Sequence, residues 1–185
     1  MEKIEVVKWQ EGINLQGLSR QEIFDSIQEI DRSVFHDNGL ATQQSDIDRY
    51  EAYKDSYIFA LYEGKIIGYL CYFPITEKFY KSVIEGIKVY DGDIESTDIC
   101  NLRDDSNYIF LLSLAIRPEF QRKGISKLIF KILIEEFSKI KINDMLSYAF
   151  TVGGEHFLNH IGLNSYKEMG DEIILMRGAL KNEKR

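Results

Sequence analysis

Ile109-Phe110-Leu111-Leu112-Ser113-Leu114-Ala115-Ile116 runs directly into Arg117-Pro118-Glu119-Phe120-Gln121-Arg122-Lys123-Gly124-Ile125-Ser126. The first eight residues are nearly all apolar, the pattern of a strand buried on both faces. Arg117-Pro118 ends it, because proline cannot donate to a ladder. Beyond Gly124, the residues Ile125, Leu128, Ile129, Ile132, Leu133, Phe137 and Ile140 form one apolar stripe at helical spacing. A strand, a tight turn and a helix start in this order aim unpaired N–H groups outward, and the helix dipole makes that point an anion site. Gly124 lets the backbone approach a ligand closely, while Arg122 and Lys123 bring charge to the same place. The expected guest is a pyrophosphate. Neither GxxxxGK[ST] nor GxGxxG occurs in the chain, so the other common phosphate loops are excluded.

Upstream, Lys3 to Trp9 alternates as a strand. Ser19-Arg20-Gln21-Glu22 reads as a capping box, followed by Ile23, Phe24, Ile27, Ile30 and Val34 at helical spacing, with Gly39 past the end. Ser45-Asp46-Ile47-Asp48 opens a second short helix carrying Tyr50 and Tyr53. Tyr57–Tyr62 and Ile66–Phe73, joined through Glu63-Gly64-Lys65, read as a hairpin. The stretch 74–107 has weak periodicity and eight acidic against four basic residues, and is expected to be a long acidic insertion. Within it, 78–89 forms a short helix or strand. Downstream come a strand over Met145–Thr151, a short helix opened by Gly153-Gly154, and a closing hairpin of Ser165–Met169 and Glu172–Arg177. The tail over 179–185 is expected to fray.

The chain has 185 residues, 44% hydrophobic and 29% charged, which predicts one domain over 1–185 with a real core. No stretch approaches 18 uninterrupted apolar residues, which argues against a transmembrane helix, and the N-terminus lacks a secretory pattern. Cys71 and Cys100 give neither a disulfide framework nor a four-ligand zinc pattern, so a cytoplasmic protein with free thiols is expected. The net charge of -7 disfavours a whole-surface nucleic-acid binder. Yet 117–141 holds seven basic against three acidic residues, a basic island on an acidic chain that suggests one local anionic partner. A solvated lysine-rich helix face would satisfy charge alone; the strand before it and the helix after it point to a ligand.

Gln121-Arg122-Lys123-Gly124-Ile125-Ser126 resembles the acyl-CoA signature of the GNAT superfamily of N-acyltransferases, Q/R-x-x-G-x-G/A. Phe157-Leu158-Asn159-His160-Ile161-Gly162-Leu163 resembles the family's F-Y-x-x-x-G-F segment, and the order of elements resembles that fold over nearly the whole chain. The resemblance implies an α/β fold of mixed α+β character: a central mixed, mostly antiparallel twisted sheet of about seven strands flanked by about four helices. It implies acetyl-CoA as cosubstrate, with no metal, and transfer of an acetyl group to a primary amine by direct attack. By the same resemblance the backbone of Leu114, Ala115 and Ile116 binds the pantetheine arm, Gln121, Arg122, Lys123, Gly124, Ile125 and Ser126 hold the pyrophosphate, and Asn159 meets the pantetheine or thiol end. The implied partners are acetyl-CoA and an amine acceptor, without nucleic acid or membrane, in a monomer or homodimer. A CoA-binding sensor or scaffold without catalysis is the alternative.

Three positions depart from the family pattern. Ser126 stands where glycine or alanine is usual, Leu158 where many members carry a general-acid tyrosine, and Thr151 where an asparagine is frequent. Tyr148, Tyr166 and Asp105 are therefore the candidates for acid or base, since no glutamate lies within 108–116. The acidic residues Asp91, Asp93, Glu95, Asp98, Asp104 and Asp105 form either a solvated loop or an electrostatic lip for a cationic acceptor. Asp91-Gly92-Asp93-Ile94-Glu95 misplaces its glycine for an EF-hand, and His156 with His160 has no third ligand in sequence, so no metal is expected. Cys71 and the tyrosines 50, 53 and 57 read as packing residues, and Ser113 as a core hydroxyl or a water holder.

Overall fold

A computed structural model describes residues 4–10, 15, 17–35, 40–87, 94–103, 107–170 and 173–180. The strands are β1 (Glu5–Lys8), β2 (Tyr57–Tyr62), β3 (Lys65–Ile75), β4 (Asn107–Ile116), β5 (Ile142–Ala149), β6 (Leu163–Gly170) and β7 (Ile173–Gly178). They form one sheet in the order β1–β2–β3–β4–β5–β7–β6. Every neighbouring pair is antiparallel except β4–β5, which is parallel. Five α-helices accompany it among the described residues: α1 (Arg20–Phe35), α2 (Gln43–Ala52), α3 (Glu77–Glu85), α4 (Ile125–Phe137) and α5 (Val152–Ile161). This is the expected mixed, mostly antiparallel α/β fold. Among the described residues no helix is long and apolar enough to cross a membrane.

Local chemistry explains most boundaries. Ser19 and Glu22 close both bonds of the expected capping box: the Glu22 N–H donates to Ser19 Oγ at 3.3 Å and the Ser19 N–H to Glu22 Oε2 at 2.7 Å. The expected stop at Gly39 lies outside the described residues. Helix α2 begins earlier than Ser45, because the Thr42 hydroxyl is the cap and accepts from the Ser45 N–H at 3.2 Å. Thr151 is likewise not strand but the cap of α5, accepting from the Gly154 N–H at 3.0 Å.

The connection expected from Pro74 starts two residues later. Strand β3 runs through Pro74 to Ile75, where it has outrun β2, whose pairing with β3 begins at Tyr57↔Cys71. No ladder donor is demanded of proline there. The returning chain covers that overhang: the Thr76 N–H donates to the Asp98 carbonyl and the Cys100 N–H to the Pro74 carbonyl, both at 2.9 Å. Between them lies the Ile75↔Ile99 bridge. The segment left open as helix or strand is helix α3, capped by Thr76 and ended by Gly86 in the left-handed region.

The sheet is covered on both faces. On one, Tyr69 of β3 bonds Asp31 of α1, and a cluster of rings from α1, α2, β2 and β3 includes Trp9 stacked on Tyr50 at 4.2 Å. On the other, Tyr72 meets Phe137 of α4 edge-on at 5.1 Å. Helix α5 joins α4 on that second face through the Phe130–Phe157 contact at 5.7 Å and packs over β5, β6 and β7.

Two glycines separate opposite requirements. A Cβ on Gly68 would meet the Ala115 carbonyl oxygen at 2.9 Å, whereas on Gly153 the nearest atom is Thr151 Oγ1 at 4.0 Å. Gly68→Ala should lower the melting temperature by about 3–10 °C, from an overpacking cost of about 1–3 kcal/mol. Gly153→Ala should raise it by about 1–4 °C, because alanine is worth up to ~1 kcal/mol over glycine in a helix. Thermal unfolding by circular dichroism checks both signs.

Candidate functional site

The parallel β4–β5 ladder holds from Asn107↔Ile142 to Leu111↔Ser147 and then stops, although β5 continues to Ala149 and stays paired with β7. The last point is pinned by Ser147, whose hydroxyl donates to the Leu111 carbonyl at 2.9 Å. On its other edge β4 pairs with β3, with Cys71 opposite Ser113 and Tyr72 opposite Leu111. Leu112 is thus an extra residue, a bulge that bends β4 away from β5. Strand, bulge and release coincide within two residues.

The release leaves backbone groups facing a gap. The Arg117 N–H donates to the Ile67 carbonyl at 2.9 Å, which places residues 113, 115 and 117 in hydrogen-bonded register with β3. By alternation Leu114 and Ile116 turn their N–H and C=O groups toward the side β5 has left. Ala115 is buried and bonded toward β3. Of the three expected backbone binders, two therefore face the gap directly and the third holds the strand.

At the end of β4 the chain turns through two left-handed residues, Arg122 at φ 62° and Gly124 at φ 77°. Gly124 is the N-cap of α4, no side chain caps that helix, and its first turn carries no acidic residue. A Cβ built on Gly124 meets nothing within 4 Å, so the space above the turn is open. Gln121, Arg122, Lys123 and Gly124 are exposed, Ser126 is half-buried, and Ile125 is buried as the anchor of the helix. The Lys123 ammonium lies 4.8 Å over the Phe120 ring, which holds its charge beside the turn. Uncapped N–H groups, a helix N-terminus, three nearby cations including Lys127 and open space form a cradle whose chemistry suits an anionic group.

Two ties at this turn carry no signal in sequence. The Gln121 amide donates to the Ile116 carbonyl at 2.9 Å and fastens the turn to the strand end. Arg117 pairs with Glu29 of α1 at 2.8 Å and bonds the Ile66 carbonyl. Both join residues whose contact depends on how β4 ends.

The candidate acids and bases are dispersed. Tyr148 lies on β5 at the gap, nearly buried, its ring against Phe110 at 5.6 Å and Phe150 at 6.3 Å. Tyr166 lies on the edge strand β6 with its ring 5.3 Å from the Arg177 guanidinium, two strands from β5. Asp105 lies outside the described residues, as do Asp91, Asp93 and Asp104 of the expected acidic lip. The two described members, Glu95 and Asp98, serve their own turn, with the Glu95 N–H donating to Asp98 Oδ2 at 3.2 Å. On α5, Leu158 is buried, Asn159 is half-buried, and His156 and His160 are exposed. Among the described residues no group of three metal-ligating side chains occurs.

Sequence reasoning missed two buried polar clusters. Asp144 of β5 accepts from the Tyr80 hydroxyl at 2.6 Å and from Arg177, and the Tyr80 ring stacks on Tyr108 at 4.2 Å. Burial, then the bond to Asp144, pushes the Tyr80 phenol well above its ordinary pKa. Tyr69 of β3 bonds Asp31 of α1 and lies 3.1 Å from the Ser113 hydroxyl on β4. Burial, then the Asp31 charge, raises the Tyr69 phenol likewise.

A family model described as the acetyltransferase (GNAT) family matches residues 21–170. The fold is similar to that of PH1933 from Pyrococcus horikoshii OT3, at 13% identity over 97% of this chain and 99% of that one, with a TM-score of 0.65. It is also similar to the PaiA N-acetyltransferase from Thermoplasma acidophilum in complex with coenzyme A, at 11% identity, 96% and 99% coverage and a TM-score of 0.56. The GphF GNAT-like decarboxylase in complex with isobutyryl-CoA gives 11% identity, 96% and 100% coverage and a TM-score of 0.67. No curated protein sequence matches the chain. The family match takes in the diverging strands, the cradle and the helices on either side of it, and the chain belongs to the acetyltransferase (GNAT) family.

Proposed function

We propose that the chain is a cytoplasmic N-acetyltransferase, one domain working as a monomer or homodimer, that uses acetyl-CoA to acetylate a primary amine by direct attack. The observation that carries this reading is the release of β4 from β5 at Leu112, with the exposed strand edge leading straight to the Gly124 cradle. The residues present suit the donor: the gap offers backbone groups to an amide-bearing arm, and the cradle offers N–H groups and cations to its phosphates. When bound, acetyl-CoA supplies an acetyl group activated as a thioester. The N–H groups facing the gap at Leu114 and Ile116 stabilise negative charge on the carbonyl oxygen as the amine adds. The buried Leu158 supplies no acid, and the chemistry tolerates that, because a thiol of ordinary pKa, about 8.5, leaves readily as the thiolate.

The acceptor's amine approaches from the α1–α2 side of β4, opposite α4. In the residues described there the gap is walled by Phe35 and Phe150, 6.4 Å apart, together with Tyr148. An acceptor with an apolar portion next to its amine suits this wall. The reading of a cationic acceptor drawn in by an acidic lip rests on residues 91–105 and is the second option.

The alternative, a CoA-binding module without transfer, is favoured by the buried leucine at 158. Saturating acetyl-CoA, at 100 times its dissociation constant, should stabilise the chain by about 2.7 kcal/mol and raise its melting temperature by roughly 5–10 °C. Thiol release that depends on an added amine then separates transfer from mere binding. A shift without release under any amine supports the module, and no shift at all overturns both readings.

Gly124→Val places a branched side chain in the open space of the cradle, at a left-handed φ that valine rarely adopts. The melting shift with acetyl-CoA should fall at least tenfold in ligand sensitivity, while circular dichroism stays that of the wild type. Wild-type affinity in this variant would remove the cradle from the binding site.

A further inference from the structure

Acetylation of an amine requires a proton to leave it, and neither the unpaired half of β4 nor position 158 carries a group of the usual kind. The Tyr69 hydroxyl touches two partners, Asp31 of α1 and Ser113 of β4. A phenol has one proton to donate, and the carboxylate takes it because a charged acceptor makes the stronger bond. The 3.1 Å contact with Ser113 is therefore satisfied by the serine hydroxyl donating to Tyr69 Oη. The remaining lone pair of Ser113 is then free to accept. Exposure grades along the chain: Tyr69 is 2% exposed, Asp31 8%, and Ser113 half-buried. Ser113 is also the first residue past the Leu112 bulge, at the start of the strand edge that β5 has left.

Other groups surround this chain without completing it. Asp46 of α2 accepts from Gln28 Nε2 of α1 at 2.8 Å and lies 3.8 Å from Arg49. Tyr57 of β2 and Cys71 of β3 face the same layer. The Tyr69 hydroxyl alone is seen within hydrogen-bond distance of both the Ser113 hydroxyl and a buried carboxylate among the described residues, so the path from the gap inward runs through Tyr69.

We propose that Ser113 is a catalytic residue that takes the proton from the acceptor's ammonium and that Tyr69 and Asp31 are positioning residues that carry it inward; the proposal rests on the N-acetyltransferase reading. The N–H bond of the ammonium breaks as a Ser113 O–H bond forms, the serine's own proton passes to Tyr69 Oη, and the tyrosine's passes to Asp31 Oδ1. A cation and a buried carboxylate become a neutral amine and a neutral carboxylic acid. Burial favours that direction, because it penalises the charged forms.

The test compares kcat/KM across pH 6.5–9.5 for the wild type, Ser113→Ala, Ser113→Thr and Tyr69→Phe, using an alkylamine of pKa near ~10.4. With the chain intact the enzyme accepts the ammonium, and the profile above neutral pH is shallow. Without Ser113 or Tyr69 the amine must arrive already neutral, so kcat/KM should rise about tenfold per pH unit and lie about 100-fold below wild type at pH 7. Ser113→Thr, which keeps the hydroxyl, should restore the shallow profile. The melting shift with acetyl-CoA should be unchanged in all variants, which separates a lost proton path from a lost fold or donor site. A wild type that turns over amines while Ser113→Ala keeps its rate and profile overturns the proton path alone. A wild type that binds acetyl-CoA without turnover overturns the transfer reading and the proton path with it.

Discussion

An extra residue in one strand of an antiparallel pair bends that strand and deepens its twist, and here the extra residue is Leu112, set where the parallel partner also lets go. A mixed sheet of this length would otherwise remain paired from edge to edge, with no backbone left for a ligand. The Ser147 hydroxyl on the Leu111 carbonyl fixes the last rung, so the divergence begins at one level rather than fraying along the strand. Everything that follows inherits this position: the direction of Leu114 and Ile116, the landing of Arg117 on Ile67, and the point where the turn delivers Gly124 to the start of α4.

The two faces of the sheet divide the work. On the α4 and α5 side, ring contacts of Tyr72 with Phe137 and of Phe130 with Phe157, together with the Lys8–Glu136 ion pair, hold the cradle helix against the strands that aim it. On the α1 and α2 side, polar groups are buried among rings, where an unmet polar group is expensive. Asp31 with Tyr69 and Ser113, and Asp46 with Gln28, offset that cost through hydrogen bonds to partners 18 to 44 residues apart in the chain. The Tyr80–Asp144–Arg177 cluster does the same below the gap, where β4 and β5 are still paired.

Local signals made much of this legible beforehand. The apolar run into Arg117-Pro118, the stripe after Gly124, the capping box at Ser19 and the hairpin through Gly64 each depend on residues within a turn or two of one another. The cradle belongs to that class, since Arg122, Gly124 and the helix start are contiguous. What could not be read joins distant segments. The Tyr69 bonds to Asp31 and Ser113 span 38 and 44 residues, and nothing in either neighbourhood singles out the pairing. The Leu112 bulge has no glycine or proline to announce it, because its cause is the mismatch between β3 and β4. Strand β5 begins three residues before the expected Met145 for a similar reason: Asp144 interrupts the apolar pattern, and only Tyr80 and Arg177 make a buried carboxylate there acceptable. Pro74 differs in the opposite sense: it is a chain breaker in sequence, yet a harmless strand residue where β3 has outrun β2 and no ladder donor is demanded of it.

That edge has a consequence for solubility. Beyond Tyr57 the last residues of β3 lie past the end of β2, and an uncovered strand edge of Tyr72-Phe73-Pro74-Ile75 would offer an apolar template to another chain. Two devices close it: proline withholds a donor, and the segment around Ile99 returns to occupy the remaining groups as a one-bridge stub. The long excursion between β3 and β4 thus ends as a guard against self-association, placed where this fold would otherwise recruit a strand from its neighbour.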